Sequence, residues 1–457
     1  MFNKFFLNLS KAIQFLLSVV APDPGGAGTN KLFVPLPQML LFLIVITSFT
    51  STLGWSLVIG SFHLFAFRVL LYLMWPLFLF KVLIMDGGWV NHSHIKVKSY
   101  LLFYVVWLAY ALLSTMWAED ITAAAVNLIY LLTGFSVIFF LVYYFRSFHY
   151  LLSFYWLWLL IFIVLIFIAI WEMKTGHHLP LSNLYGEQGW YVYQPTAVFY
   201  NANDFATYIA LTLPLLLAMM KYYSNFYSRF FGVLLYIVAM VVLIATLSRA
   251  NVVALIITLS CFFLLSKPKT KMIALAIAIP LIIVFSGPII NKLSDAEKRI
   301  SAISNLQVHR DLDASSSVRV NLMKNALHFT IESAGFGIGA GNAEYYMKKY
   351  KLYPTQGISN VHNWWLEILL NYGILIFTGY VILFVSLVWN LWLAYKKLKE
   401  RAEKMICEAL MIGLVGFTIG CISPSSIVGM SVQWIYFGFA LTFLNYTRNQ
   451  ETVRNAQ

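Results

Sequence analysis

Charge is what this 457-residue sequence has least of: 11% of its residues are Asp, Glu, Lys or Arg, while 61% are hydrophobic and mean hydropathy is +0.77. A soluble globular chain carries about 25% charged residues and is about half apolar. The deficit excludes an ordinary soluble fold and puts most of the chain in lipid, where only helices or a closed barrel satisfy the backbone. Cysteine is almost missing too. Cys261 and Cys421 fall in apolar runs and Cys407 near the end of one, so no disulfide framework exists. Strict alternation of apolar and polar residues, the mark of a barrel, is also lacking. No Gly-Lys-Ser follows a glycine-rich stretch, the pair His177 and His178 has no spaced partners for a metal, and the two halves show no internal repeat.

What is present is a series of continuous apolar runs of about 20 residues, the length that crosses a bilayer as a helix. They fall at 38–60, 62–85, 99–117, 121–145, 150–172, 204–220, 230–246, 250–266, 271–291, 363–395, 406–422 and 426–446. The fold class is therefore an all-α polytopic membrane protein with about twelve transmembrane helices. Of the 31 lysines and arginines, nineteen fall in segments that share the side of the N-terminus. Two (Lys174 and Arg249) fall in short loops on the other side, one (Arg68) inside a span, and nine in the segment 292–361. By the positive-inside rule both termini are cytoplasmic. The net charge of +13 is thus inner-face anchoring and implies no nucleic-acid partner. Residues 1–37 form a cytoplasmic segment, read as an interfacial amphipathic helix rather than a signal peptide. Spans one to nine fill 38–291, spans ten to twelve fill 362–446, and 447–457 is a cytoplasmic tail.

Two polar segments face outward, 173–203 and the large loop 292–361. The second is far longer than a connection requires. Within it "SSSVRVNLMKNALHFTIES" reads as a helix with Val318, Leu322, Ala326 and Phe329 on one face. "GFGIGAGNAEYY" reads as a tight turn between loop helices, and Asp311 and Asp313 as an ordinary loop pair rather than a metal site. Arg249, at the outer start of a span, can be a snorkelling side chain, but it stands on the sparsely basic side. Arg319 can be part of a solvated helix face. Arg68, six residues into a span, lies roughly 9 Å below the outer surface, and intramembrane charge usually has a purpose. In "SNVHNWWLEILLNYGI", Asn363 fits a helix cap and Trp364 and Trp365 fit interfacial anchors. His362 beside them has an imidazole that takes a proton near neutrality. Two arginines and a histidine on one outer surface point to chemistry on a lipid-borne phosphate.

The sequence resembles the bacterial O-antigen ligase and O-antigen polymerase superfamily, which includes teichuronic-acid polymerisation proteins. The matching stretches are "FYNANDFATYIALTLPLLL", "TLSRA", "SSSVRVNLMKNAL", "GFGIGAGNAEYY" and "VHNWWLEILLNYGI", all within about residues 195–380. Two departures are "SRAN", where a glycine is expected after the arginine, and the lysine-rich "YYMKKYKLYP". The resemblance implies a C-type membrane glycosyltransferase of the bacterial cytoplasmic membrane. It implies an undecaprenyl-diphosphate-linked glycan donor, a glycan or lipid-linked acceptor, inversion at the anomeric carbon, and neither metal nor other cofactor. Its paired arginines map onto Arg249 and Arg319, which would bind the diphosphate, and its histidine onto His362 as catalytic base. Arg68, Asn363, Glu367, Asn203 and Asp204 are supporting candidates, with Asn363 and Glu367 expected to orient the imidazole. Aromatic residues in 185–200 are candidates for stacking on sugar rings. Polymerase and ligase both stay open, and so does a flippase or exporter of lipid-linked glycan without catalysis.

Overall fold

The apolar runs fold as helices because a backbone in hydrocarbon must satisfy its hydrogen bonds within its own segment. The computed structural model describes residues 35–50, 53, 56–59, 62–85, 92–223, 225–268, 271–272 and 314–456. Among these residues the α-helices are α1 (Leu36–Thr50), α2 (Ala66–Phe80), α3 (Lys98–Leu113), α4 (Ile121–Tyr144), α5 (Phe148–Thr175), α6 (Ala202–Tyr222) and α7 (Phe226–Ala245). They continue with α8 (Arg249–Leu265), α9 (Ala314–Glu332), α10 (Ala343–Lys349), α11 (Trp364–Lys397), α12 (Arg401–Gly420) and α13 (Ser431–Ala456). Seven segments are long and apolar enough to cross a membrane: Ala66–Ile84, Lys98–Met116, α4, α5, α6, α7 and α11. The apolar helices α1 and α8 are shorter. The chain is a polytopic helical membrane protein. The expected interfacial helix, all but the first two residues of the run at 271–291, and the pair Asp311 and Asp313 lie outside the described residues.

Three expectations need correction. The first run does not continue as a helix to residue 60. It ends at Thr50, and Ser56–Ile59 (β1) pairs antiparallel with Phe62–Phe65 (β2), Val58 opposite His63. An apolar run rich in β-branched and aromatic residues satisfies helix and strand patterns alike, so composition alone does not separate them. Arg68 is accordingly the third residue of α2, not six residues into a span. Trp364 is no interfacial anchor, since it is 1% exposed and deep in the core. Its ring meets Trp107 at 6.2 Å and Trp434 at 6.0 Å, and its indole N–H donates to Tyr380 Oη at 2.9 Å.

At one end of the bundle basic side chains gather. Lys221 donates to the buried carboxylate of Glu408 at 2.7 Å, Arg448 to the Lys96 carbonyl at 3.1 Å, and Lys397 pairs with Glu451 at 3.2 Å. The other end holds the 173–201 connection, the α7–α8 and α12–α13 turns, and the α9–α10 unit. The helix α9 buries Val318, Leu322, Ala326 and Phe329, the face its periodicity predicts, against Ile338, Met347, Val361 and Leu370.

The stretch 333–342 is the tight turn that its glycines predict, and it is wedged into a break in α11. Gly373 there has φ 74° and ψ −175°, which splits the helix. The carbonyls of Leu370 and Asn371 lose their helical partners and instead accept from Ile338 N (2.9 Å) and Gly339 N (3.2 Å), while Ile374 N donates to Gly335 O at 2.8 Å. A Cβ on Gly373 would collide with the Gly335 and Phe336 backbone. Only glycine adopts this region readily, and other residues are strained by about 1–3 kcal/mol. Gly373→Ala should therefore lower the melting temperature in detergent clearly more than Gly186→Ala, whose site is open although its φ is also positive. Equal shifts would show that the wedge does not hold α9 and α10 in place.

Candidate functional site

The turn from Cys421 to Met430, between α12 and α13, is the hub of the end opposite the basic cluster. The Ser423 hydroxyl donates to Asn203 Oδ1 at 2.7 Å and lies 2.6 Å from Ser248 Oγ. The Ser423 carbonyl meets His362 Nδ1 at 3.4 Å. Asn201 Nδ2 donates to Ser425 Oγ at 3.1 Å, and Ser426 Oγ donates to Glu367 Oε1 at 2.6 Å. One short connection thus ties together the starts of α6, α8 and α11, where the Asn201 and Asn363 side chains cap their helices and Ser248 stands at the N-cap position without a capping bond. Three helix N-termini, each the positive end of its macrodipole, meet in one place. Such positive ends favour an anion beside them, although the Asn201 and Asn363 side chains already occupy some of their N–H groups.

Arginines add to this field. Arg249 is exposed at the first position of α8, and Arg319 is half-buried on α9. Burial holds the Arg319 pKa below its ordinary value, and the neighbouring charge of Arg249 pushes it the same way, so the two guanidinium groups sense each other. Two like charges brought together without a ligand are unfavourable, and an anion between them reverses the sign. Planar guanidinium groups offer paired N–H donors that match phosphate oxygens.

His362 lies at the mouth of this cluster with φ 50°, a left-handed backbone that few non-glycine residues adopt and that turns the chain into α11. A carbonyl oxygen only accepts, so its contact with Ser423 O is served by Nδ1–H, and the lone pair stays on Nε2. Burial pushes the imidazole pKa below its usual value. The Ser423 and Pro424 carbonyls oppose that shift, and Arg319 reinforces it. The ring is therefore neutral at pH 7, the state a general base needs.

The other predicted residues separate into two groups. Asn203 reaches the hub through Ser423, and Asp204 accepts from Asn201 Nδ2 at 2.9 Å in the first turn of α6. Asn363 Oδ1 accepts from Trp365 N and Leu366 N at 3.1 and 3.4 Å, which is the cap its position predicts. Neither Asn363 nor Glu367 hydrogen-bonds the imidazole. Glu367 instead holds Ser426 and the Ile427 N–H (3.4 Å), so it acts on the turn that carries Ser423. Arg68 packs its guanidinium 4.7 Å from the Phe65 ring centroid and 5.0 Å from that of Tyr130. Tyr130 in turn borders Gly429 of the hub turn. His178 is an internal strut: Nδ1 sits 3.1 Å from Glu172 near the end of α5 and Nε2 2.6 Å from the Val192 carbonyl, which ties the 173–201 connection back to that helix. That connection leaves Tyr185, Trp190, Tyr193 and Tyr200 exposed.

Sequence reading missed Ser423, Ser425, Ser426, Ser248 and Asn251. Asn251 Nδ2 donates to Ser248 Oγ at 3.0 Å and to Thr207 Oγ1 at 3.1 Å. The available signal was "SPSS", a polar run in a connection that needs only to turn between two apolar helices.

Residues 234–381 match the O-antigen ligase family, and that segment carries Arg249, Arg319 and His362. Over 417 residues the chain is 31% identical to the teichuronic acid biosynthesis protein TuaE of Bacillus subtilis (strain 168), with 90% of this chain and 84% of that protein covered. Its membrane-crossing helices, its extent of identity and the matched segment together mean that this chain belongs to the O-antigen ligase family, with a role in membrane polysaccharide biosynthesis.

Proposed function

We propose that this protein is a membrane glycosyltransferase that moves glycan from an undecaprenyl-diphosphate-linked donor to an acceptor hydroxyl at the outer face of the cytoplasmic membrane. It would act as a polymerase or ligase in cell-surface polysaccharide assembly, of the kind named for its teichuronic acid relative. The proposal keeps the twelve-span layout with both termini cytoplasmic. The observation that carries it is that Arg249 and Arg319, close enough for their charges to interact, stand beside His362, whose Nδ1 faces the Ser423 carbonyl.

In this reading the diphosphate docks against both guanidinium groups and the α6, α8 and α11 N-termini. The acceptor hydroxyl gives its proton to His362 Nε2, and its oxygen forms a bond to the anomeric carbon from the face opposite the diphosphate. The bond from that carbon to the diphosphate oxygen breaks, and the lipid diphosphate leaves with the electron pair. Its growing charge meets donors already in place, which lowers the barrier without reorganisation. In-line displacement inverts the anomeric centre. Arg68, behind Tyr130, supports the hub turn rather than the donor.

The experiment is incubation of purified protein in detergent with lipid-linked repeat units, with and without EDTA, followed by size analysis. The expected result is longer glycan in both arms. Detergent removes sidedness, so absence of any product would favour a flippase or exporter, and loss of product with EDTA alone would overturn the metal-independent step.

A further inference from the structure

We infer that the cleft between α1, α2 and the end of α4 is a binding site for an anionic glycerophospholipid, its phosphate between Lys81 and Arg146 and its chains against the apolar lining beside them. The site lies at the basic end of the bundle, opposite Arg249, Arg319 and His362. The inference does not rest on the reaction proposed above.

The cleft has a volume of about 440 Å³, within the roughly 300–1,000 Å³ of small-molecule sites. Its apolar lining comes from Leu36 of α1 and from Met74, Leu77 and Phe80 of α2, and its charge from Lys81 and Arg146. The walls are tied to one another. Gln38 Nε2 donates to the Tyr144 carbonyl at 3.3 Å, which joins the start of α1 to the end of α4. The Phe78 ring meets that of Tyr143 at 5.1 Å, which joins α2 to the same place.

Both cations gather at one ring. The Arg146 guanidinium lies 5.0 Å from the Tyr143 ring centroid, and Lys81 Nζ lies 5.7 Å from it. Arg146 Nε donates to the Tyr143 carbonyl at 2.9 Å, which fixes where the guanidinium sits. Burial pushes the His94 imidazole down to about 4, and the charges of Arg146 and Lys81 push it the same way, so both cations act on one neighbourhood. Among the described residues neither pairs with a carboxylate. Two like charges placed together are unfavourable, and a phosphate between them reverses the sign. A guanidinium fork beside an ammonium suits phosphate oxygens.

The surroundings favour a lipid over a free phosphate. The segment Ala66–Ile84 crosses the membrane and leaves Leu73, Leu79, Phe80, Leu83 and Ile84 exposed. Phe80 belongs both to that lipid-facing surface and to the cleft, so the cleft opens onto hydrocarbon where acyl chains lie. The 34 residues before Pro35 are no substitute for the anion. They carry Lys4, Lys11 and Lys31 against one acid, Asp23, and so add to the positive charge.

The test is native mass spectrometry of the full chain in detergent, titrated separately with phosphatidylglycerol, phosphatidylcholine and glycerol 3-phosphate. The parent is compared with the double variant Lys81→Gln, Arg146→Gln and with the charge-keeping pair Lys81→Arg, Arg146→Lys. A further control, Lys396→Gln with Lys399→Gln, removes two charges from the same end of the bundle. Phosphatidylglycerol should bind the parent more tightly than phosphatidylcholine does. Its affinity should fall about tenfold in the Lys81 and Arg146 glutamine variant, and stay near the parent value in the other two. If the double variant does not fold, Arg146→Gln alone should cost about threefold. Three results would overturn the inference: phosphatidylglycerol affinity unchanged by the glutamine substitutions, an equal fall in the Lys396 and Lys399 control, or glycerol 3-phosphate binding as tightly as the lipid. The first removes the site, the second reduces it to bulk surface charge, and the third makes it a site for a free anion. No arm reads transfer of glycan, so a failure of the proposed chemistry leaves this result standing.

Discussion

His362→Ala should fold, bind lipid-linked donor with unchanged affinity and transfer glycan about 10³-fold more slowly, the range that a positioned general base contributes. The polar contacts of the side chain are with the Ser423 and Pro424 carbonyls, at the turn rather than in the helix packing. His362→Asn is a second control, because asparagine tolerates the left-handed backbone at φ 50° and should be equally inactive. The pH profile separates a base from a merely structural residue. Burial and Arg319 hold the imidazole below its ordinary pKa, so the free enzyme loses the neutral base only as pH falls through a value under that of a solvated histidine. The rate constant kcat/KM should be flat near pH 7 and fall on the acidic side. Bound diphosphate cancels the charge of Arg319 and adds negative charge nearby, which raises the pKa in the complex. The acidic limb of kcat should therefore lie at higher pH than that of kcat/KM. If His362→Ala keeps the parent rate, or loses activity without losing the acidic limb of its residual rate, His362 is not the base.

Arg319→Ala and Arg249→Ala should each cost about 10²–10³-fold in transfer, the usual loss when one preorganised donor to a developing anion is removed. Lysine at either position restores charge without the paired N–H geometry and should recover only part of the rate. The stability readout distinguishes the two sites. Arg249 occupies the first position of α8, where a positive side chain opposes the helix macrodipole. Replacing it with glutamine should leave stability unchanged or raise it by roughly 0.3–1 kcal/mol, while activity falls. Unchanged donor affinity and rate in both alanine variants would remove the diphosphate clamp from the mechanism.

Short-range features of this protein were legible in its sequence. Membrane residence follows from the apolar runs, because no other environment accepts them. The buried face of α9 follows from the spacing of Val318, Leu322, Ala326 and Phe329, since residues three and four apart share a helix side. Asn363 as a cap and 335–341 as a turn follow from local backbone needs that only a few residue types meet. The charge distribution across the membrane singled out Arg249, Arg319 and His362 as residues of one outer surface, and the resemblance implied their roles, although no local pattern links the three elements that carry them.

Only the tertiary structure decided what holds those residues together. Ser423 joins partners 61, 175 and 220 positions away, and no periodicity of 2 or 3.6 residues carries information over that span. Trp364 looks like an interfacial tryptophan from its neighbours, yet its environment is set by Trp107 and Trp434, which belong to other helices. Glu367 sits five residues after His362 but points into the turn at Ser426, because a buried carboxylate needs donors and that turn provides them. The break at Gly373 arises for the same reason, since the backbone groups it frees are satisfied by Gly335, Ile338 and Gly339, partners that the local sequence does not identify. The sequence by itself determined the solvent and the local conformations, while the meeting of three helix starts around Ser423 was decided by packing alone.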